Sequence, residues 1–453
     1  MSGYGVVLGG GGAKGAYEIG VWKALKGLNI PIKVITGTSV GALNGAAIVQ
    51  GDYDAAWNLW TSLKMESVIK IEKAIAQAND AKDSLGLAST IRNFVKSGGL
   101  DVTPLKTMLQ EILDEERIRK SPMDLGIVTF SLTDFKPVQL FKAEIPEGKL
   151  IDYLIASACF PAFKPHEIDD KKFIDGGVYN NIPLDLMKDK GVKDIIVVDV
   201  AGPGIVRKVN TDKLNVINIK NSGDLGGVLD FNGERSLINI EMGYLDTLKK
   251  FGKLKGSKYY FHSMAEAAVY KENYVKTINM EDFKKVYSFL GLDWGEKSSA
   301  RNELIIYKIM KTLKQYSDGN LSWDTILPAM AEITAEQIGI ERIKTYDLEE
   351  LINEILEEYE KIKAGSDFDD YIKSIKNLIL SRNQAEFNRE VKKVLIEGKF
   401  LIYYNPDMNE KDEKVKNFRR FIAMAFPKVS IANMFISLLL SRTGSDSINR
   451  ASS

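Results

Sequence analysis

The sequence predicts an α/β fold with a mainly parallel central sheet, followed by a mostly helical C-terminal region. Three observations carry that reading. Continuous apolar runs such as Val6-Val7-Leu8 and Ile195-Ile196-Val197-Val198 lack polar alternation, as expected of strands buried on both faces. The first two runs each lead through a glycine-rich turn into a helical pattern, the order of parallel crossover units. From about residue 263 the texture changes to lysine- and glutamate-rich helical sequence without long Val/Ile runs.

Taken in order, Val6-Val7-Leu8 is the first strand. Tyr17, Ile19, Val21, Trp22 and Leu25 form the apolar side of a helix ending near Gly27. Val34-Ile35-Thr36 is the second strand, and an alanine-rich helix follows from Val40 to Gln50. Residues 53–100 read as a helical insertion, with Trp57, Trp60, Leu63, Ile69 and Phe94 serving either the core or a lid; the core reading leads. Thr103 is expected at an N-cap with Pro104 at the first helical position. Residues 125–131 and 137–141 are strands around a turn at Thr133-Asp134, and residues 150–159 are helical up to the break at Pro161. Phe173-Ile174 runs into the Asp175-Gly176-Gly177 turn. Ile195–Val200 and Val216–Ile219 are further strands. The expected organisation is an α/β domain at 1–262, a helical region at 263–442 and a disordered polar tail at 443–453.

Composition narrows the function. Lys+Arg and Asp+Glu are both 61, so no bulk charge draws the chain to nucleic acid. One cysteine, Cys159, excludes an internal disulfide framework and a cysteine metal cluster, and two histidines, His166 and His262, argue against a histidine-rich metal site. Cys159 lies in an apolar helix without basic neighbours, so a buried inert thiol is expected. The N-terminus shows no secretory signal and no apolar run reaches about 18 residues, so a cytoplasmic protein is expected, with peripheral contact at a membrane surface left open. Residues 429–440 are the most apolar late stretch, with Ser430, Asn433, Ser437 and Ser441 on one narrow face. Burial, an oligomer interface and a membrane surface remain open for it, and burial leads.

Two turns carry chemistry. Gly9-Gly10-Gly11-Gly12-Ala13-Lys14-Gly15 is a run of backbone amides. It satisfies G-x-G-x-x-G, yet residues 30–39 lack the acid that a dinucleotide ribose needs, and Lys14 is not followed by the Ser or Thr of a phosphate loop. No nucleotide cofactor is therefore expected, and an oxyanion hole is the alternative to a turn that merely packs. Lys14 either orients this loop or meets a lipid phosphate. Gly37-Thr38-Ser39-Val40-Gly41 is a G-x-S-x-G pattern at a strand-to-helix junction, where Ser39 is either a nucleophile or a helix N-cap. A serine needs a base, and Asp175, among Phe173, Ile174 and Val178, is the best candidate beside the plainer reading of an Asp-Gly turn. A triad in the order Ser, acid, His would require His262, the one histidine after Asp175.

These motifs, with the block Ala156-Ser157-Ala158-Cys159-Phe160-Pro161-Ala162-Phe163-Lys164-Pro165, occur in an order that resembles the patatin-like phospholipase family. The resemblance covers about residues 4–200 and extends towards Gly243-Tyr244-Leu245-Asp246. It implies a three-layer α/β/α domain and a two-residue dyad: Ser39 the nucleophile, Asp175 the base, and the amides of Gly10, Gly11 and Gly12 the oxyanion hole. Lys14, Gly15, Gly37, Gly41, Gly176 and Gly177 support the motifs. Gly9 departs from the aspartate that many members carry. The implied reaction is hydrolysis of a lipid or fatty-acyl ester through an acyl-enzyme, without cofactor or metal. Acyl transfer by the same dyad, and a non-catalytic lipid- or protein-binding module acting through the helical region, are the alternatives.

Overall fold

The computed structural model describes residues 3–70, 99–262, 280–295, 299–317, 319, 321–365 and 412–450. The chain divides into two compact units, Met1–Phe251 and Gly252–Ser453. In the first, eight strands form one mixed sheet. They are β1 (Tyr4–Leu8), β2 (Ile32–Thr38), β3 (Asp124–Ser131), β4 (Lys136–Phe141), β5 (His166–Ile168), β6 (Lys171–Asp175), β7 (Asp194–Asp199) and β8 (Asn215–Lys220). β1 is parallel to β2 on one side and to β7 on the other, and the parallel run continues to β3 and β8. Parallel neighbours need crossovers; α1 (Ala16–Gly27) joins β1 to β2, and α2 (Val40–Gln50) begins the longer return to β3.

Alternate strand residues face opposite sides of the sheet. Val7, Val34, Val128, Ile195 and Val197 cluster with Leu186 and Met187, so the helix Leu184–Asp189 covers one side. On the other, Gly45 of α2 faces Leu8, Ile35 and Leu125. The Tyr17 hydroxyl of α1 donates to the Asp246 carboxylate at 3.0 Å, tying α1 to the helix Gly233–Lys250. Each fully buried Val, Ile or Leu contributes about 1.5–3 kcal/mol, so the sheet is held mainly by these two apolar faces.

The register of β3 positions the site. Residues 126–128 of β3 pair with both β2 and β4, and residues 129–131 pair with both β4 and β6. A strand has two edges, so β2 and β6 share one edge of β3 and meet end to end. Thr38 stands opposite Val128 and Asp175 opposite Thr129, in adjacent rows. The two strands approach from opposite directions and deliver their C-terminal ends to the same point.

In the second unit the described helices are Met280–Phe289, Ala300–Lys314, Trp323–Ile338, Leu348–Lys363, Glu413–Ala425 and Pro427–Arg450. Tyr260–Phe261, which composition assigns to the first domain, pairs with Thr345–Tyr346 inside this unit. Pro427 opens the last helix after a 118° bend from its predecessor. That helix lies between two apolar clusters, one taking Val429, Ala432 and Phe435 and the other Ile431 and Met434. Ser430 and Asn433, on the narrow polar face, are buried as well; Asn433 satisfies its amide on the Val429 carbonyl at 2.9 Å. The helix runs to Arg450, into the residues from 443 where a polar tail is expected. Among the described residues no single helix is long and apolar enough to cross a membrane.

Two smaller expectations change. Thr103 is the first residue of the helix Thr103–Ile112, and the carboxylate of Asp101 takes the capping role by accepting the Thr103 amide at 2.9 Å. Of the insertion at 53–100, the described helices are Tyr53–Ser62 and Met65–Val68, and Phe94 lies outside the described residues.

Candidate active site

β2 ends at Thr38, and Ser39 adopts φ 57° and ψ −129° before α2 begins. A non-glycine residue there is strained and must be held by its surroundings. The Ser39 amide donates to Ser157 Oγ at 2.9 Å, and that hydroxyl donates to the Val128 carbonyl at 2.7 Å. Thr38 Oγ1 donates to the Asn180 carbonyl at 2.8 Å. Gly41 lets the first turn of α2 lie on β1, since a Cβ there would stand 2.4 Å from the Leu8 carbonyl oxygen. The Ser39 side chain makes no capping bond, which removes the N-cap reading, and the residue borders a cavity at the positive end of α2.

Asp175 closes β6, its amide donating to the Cys159 carbonyl at 2.8 Å. The residue is 6% exposed. Burial raises its carboxyl from the usual 3.8 to about 6, while the neighbouring Ser39 hydroxyl and the Gly177 amide pull the other way. The Gly177 bond to Oδ1 is 2.7 Å. The Asp-Gly turn and the pairing with serine thus coexist in one carboxylate. Gly176 is required because the chain leaves β6 against the middle of β3 here: a Cβ would lie 2.2 Å from the Val128 carbonyl oxygen.

The glycine turn is pinned on both sides. Gly9 donates its amide to Val198 at 3.1 Å, Ala13 donates to Val228 at 2.8 Å, and Lys14 Nζ donates to the Ala201 carbonyl at 3.0 Å. That bond makes Lys14 a tether of the loop. Gly10 departs from the expected set of three amide donors. Its N–H goes to the Asn181 carbonyl at 3.1 Å, and its own carbonyl accepts Asn181 Nδ2 at 3.0 Å. Gly11 and Gly12 border the cavity with Ser39, Asp175 and Gly177. Gly37 pairs with Leu8 inside the sheet, and the Gly15 carbonyl accepts Asn44 Nδ2 at 2.9 Å.

The cavity measures about 320 Å³ and is walled by α2 and by the helices Tyr53–Ser62 and Thr103–Ile112. Trp60 and Leu63 of the insertion border it, so they line a cleft as well as pack. No histidine is among the bordering residues. His166 Nε2 lies 3.1 Å from Asp152 Oδ1, and burial lowers its pKa despite that carboxylate. Burial pushes the Cys159 thiol up to about 12, as an inert core thiol requires. Among the described residues no group of three or more His, Cys, Asp or Glu side chains is placed to hold a metal.

Sequence reasoning missed Asn181, Asn44 and Glu18 around the site, and quoted Ser157 in a motif without a role. Asn181 braces the glycine loop, Ser157 holds the Ser39 amide, and Asn44 bonds the fully buried Glu18 at 2.7 Å while accepting Trp60 Nε1 at 3.0 Å. Their signal is a polar residue inside an apolar helical face: Glu18 between Tyr17 and Ile19, Asn44 among alanines, Ser157 after Ile155-Ala156. Asn181 carries no such signal.

Residues 6–188 match the profile of the patatin-like phospholipase family. Among curated relatives, "Patatin-like phospholipase domain-containing protein 7" of Mus musculus is 27% identical over 198 residues, 43% of this chain and 13% of its own. "Neuropathy target esterase sws" of Drosophila melanogaster is 29% identical over 208 residues, again 43% and 13%. "Probable lipid hydrolase 463L" of Invertebrate iridescent virus 6 is 29% identical over 185 residues, 40% of this chain and 62% of its own. The match therefore spans only 13% of the length of the first of these relatives. Among solved structures, VipD from Legionella pneumophila aligns over 96% of this chain and 90% of its own at TM-score 0.34 and 16% identity. The type III effector protein ExoU aligns over 94% of each chain at TM-score 0.31 and 14% identity. The similarity to the patatin-like phospholipase family is thus confined to residues 6–188.

Proposed function

We propose that the patatin-like domain of this chain is a lipid acyl hydrolase working through a Ser39–Asp175 dyad. The observation that carries this reading is the strained Ser39, free of any capping bond, facing a buried carboxylate at the mouth of an apolar cavity. Asp175 Oδ takes the proton from Ser39 Oγ as that oxygen attacks the ester carbonyl carbon. The oxyanion so formed is met by the amides of Gly11 and Gly12, at a strength of roughly 3–4 kcal/mol per donor. On collapse the ester C–O bond breaks, and the leaving alcohol receives the proton from Asp175. Water then enters and gives a proton to Asp175, and its oxygen attacks the acyl carbon. Ser39 leaves with that proton, releasing the fatty acid. A carboxyl raised to about 6 is ionised at neutral pH, yet more basic than a free aspartate, as a general base should be.

The test is covalent labelling by a fluorophosphonate together with hydrolysis of fatty-acyl esters. The wild-type protein labels and turns over, and Ser39→Ala loses both while remaining folded by circular dichroism. A folded wild-type protein that neither labels nor hydrolyses any ester overturns the reading.

A further inference from the structure

We infer that α2 gauges the acyl chain: the cavity takes one straight, medium-length chain laid along α2 from Ser39, and Ala47 sets where it ends. The inference rests on the dyad reading and adds the substrate's length to it. Every residue of α2 is buried except Leu43 and Ala47, which are half-buried. With Ser39 they recur every four residues, so they form one stripe along the helix, and all three border the cavity. The facing walls repeat the pattern. Leu105, Met108, Leu109 and Ile112 on one helix, and Ala56, Leu59, Trp60 and Leu63 on and just beyond the other, are spaced i, i+3, i+4, i+7 and border the same space.

The path is apolar along its length. Asn44, the polar side chain on the α2 wall, is fully engaged, with Nδ2 on Glu18 and Gly15 and Oδ1 on Trp60. One turn beyond Ala47, Gln50 donates to the Ile112 carbonyl at 2.9 Å and accepts the Asp114 amide at 2.8 Å. This clasp joins α2 to the end of the opposite helix just beyond the residues that border the cavity. From Ser39 to Ala47 is eight residues, about 12 Å of helix, the length of an extended chain of roughly nine or ten carbons. A volume of about 320 Å³ is at the small end of ligand cavities, which run about 300–1,000 Å³, and suits a single chain.

The experiment measures kcat/KM for p-nitrophenyl esters from C2 to C16. In the wild-type protein it rises about three- to fourfold per methylene, from about 0.8 kcal/mol for each CH2 buried, and levels near C10. Ala47→Phe moves the break two or three carbons shorter and lowers the C10:C4 ratio at least tenfold; Ala47→Leu gives a smaller shift if the larger side chain disturbs folding. Fluorophosphonate labelling of each variant reports Ser39 independently of chain length. Labelled variants with an unchanged C10:C4 ratio overturn the gauge and leave the dyad standing. A wild-type protein without label or turnover overturns both.

Discussion

At the scale of single residues, the same burial that costs Asp175 solvation suits it to the role of base proposed for it. An aspartate at its ordinary pKa is a weak base, whereas one held near 6 by a dry surround retains affinity for the Ser39 proton. The sign of the pH dependence follows. With Asp175 as the proposed base its ionised form is required, so kcat/KM is expected to rise about tenfold per pH unit below about 6 and to level above it. A pH profile with a soluble ester checks this, and a flat profile from pH 4.5 to 7.5 excludes Asp175 as the base. Ser39, Asp175, Gly11 and Gly12 were all legible in the sequence as motif residues. Gly10 was misread because its amide is taken by Asn181, a residue 171 positions away, and no local pattern reports such a bond.

At the scale of elements, the site depends on β2 and β6 ending head to head on one edge of β3. The turn Gly176–Val178 then has to pass over the Val128 carbonyl. Gly176→Ala therefore destabilises the fold by about 1–3 kcal/mol and lowers ester turnover at least tenfold by displacing Asp175. Denaturant unfolding and turnover measured on the same preparation check this, and a variant as stable and active as wild type shows that the crossing tolerates a methyl. The strands and helices of the first unit were readable because their apolar runs and glycine turns obey local rules. The end-to-end meeting was not, since register is fixed by side chains from β3, β4 and β6 packing together. In the last helix burial is the leading expectation, and packing on both sides buries its apolar residues together with Ser430 and Asn433.

At the scale of the whole molecule, Glu18 couples pH to stability. It is wholly buried with Oε1 unpartnered, and burial raises its carboxyl from 4.5 to about 8, although Asn44 bonds it. The folded state therefore holds a proton that the unfolded chain releases above about 4.5. The stability contributed by neutral Glu18 is complete below that pH and is lost as pH rises through about 8, on the order of 5 kcal/mol between the limits. Glu18→Gln keeps the shape without the charge. Its thermal midpoint should match wild type near pH 4.5 and exceed it at pH 8; equal midpoints at both pH values would show that Glu18 is not protonated in the fold.

By itself the sequence determined the α/β class, the parallel order of the first strands, the helical character of the later chain and the glycine-rich turns that carry Ser39 and Asp175. Each follows from local spacing, turn chemistry or residue type. Only the tertiary structure decided which amides remain at the cavity, how Asp175 reaches Ser39, and that three helices place their apolar stripes around one space beside them. Those depend on contacts between segments far apart in the chain, where burial and register are set by many side chains at once and no single stretch encodes the result.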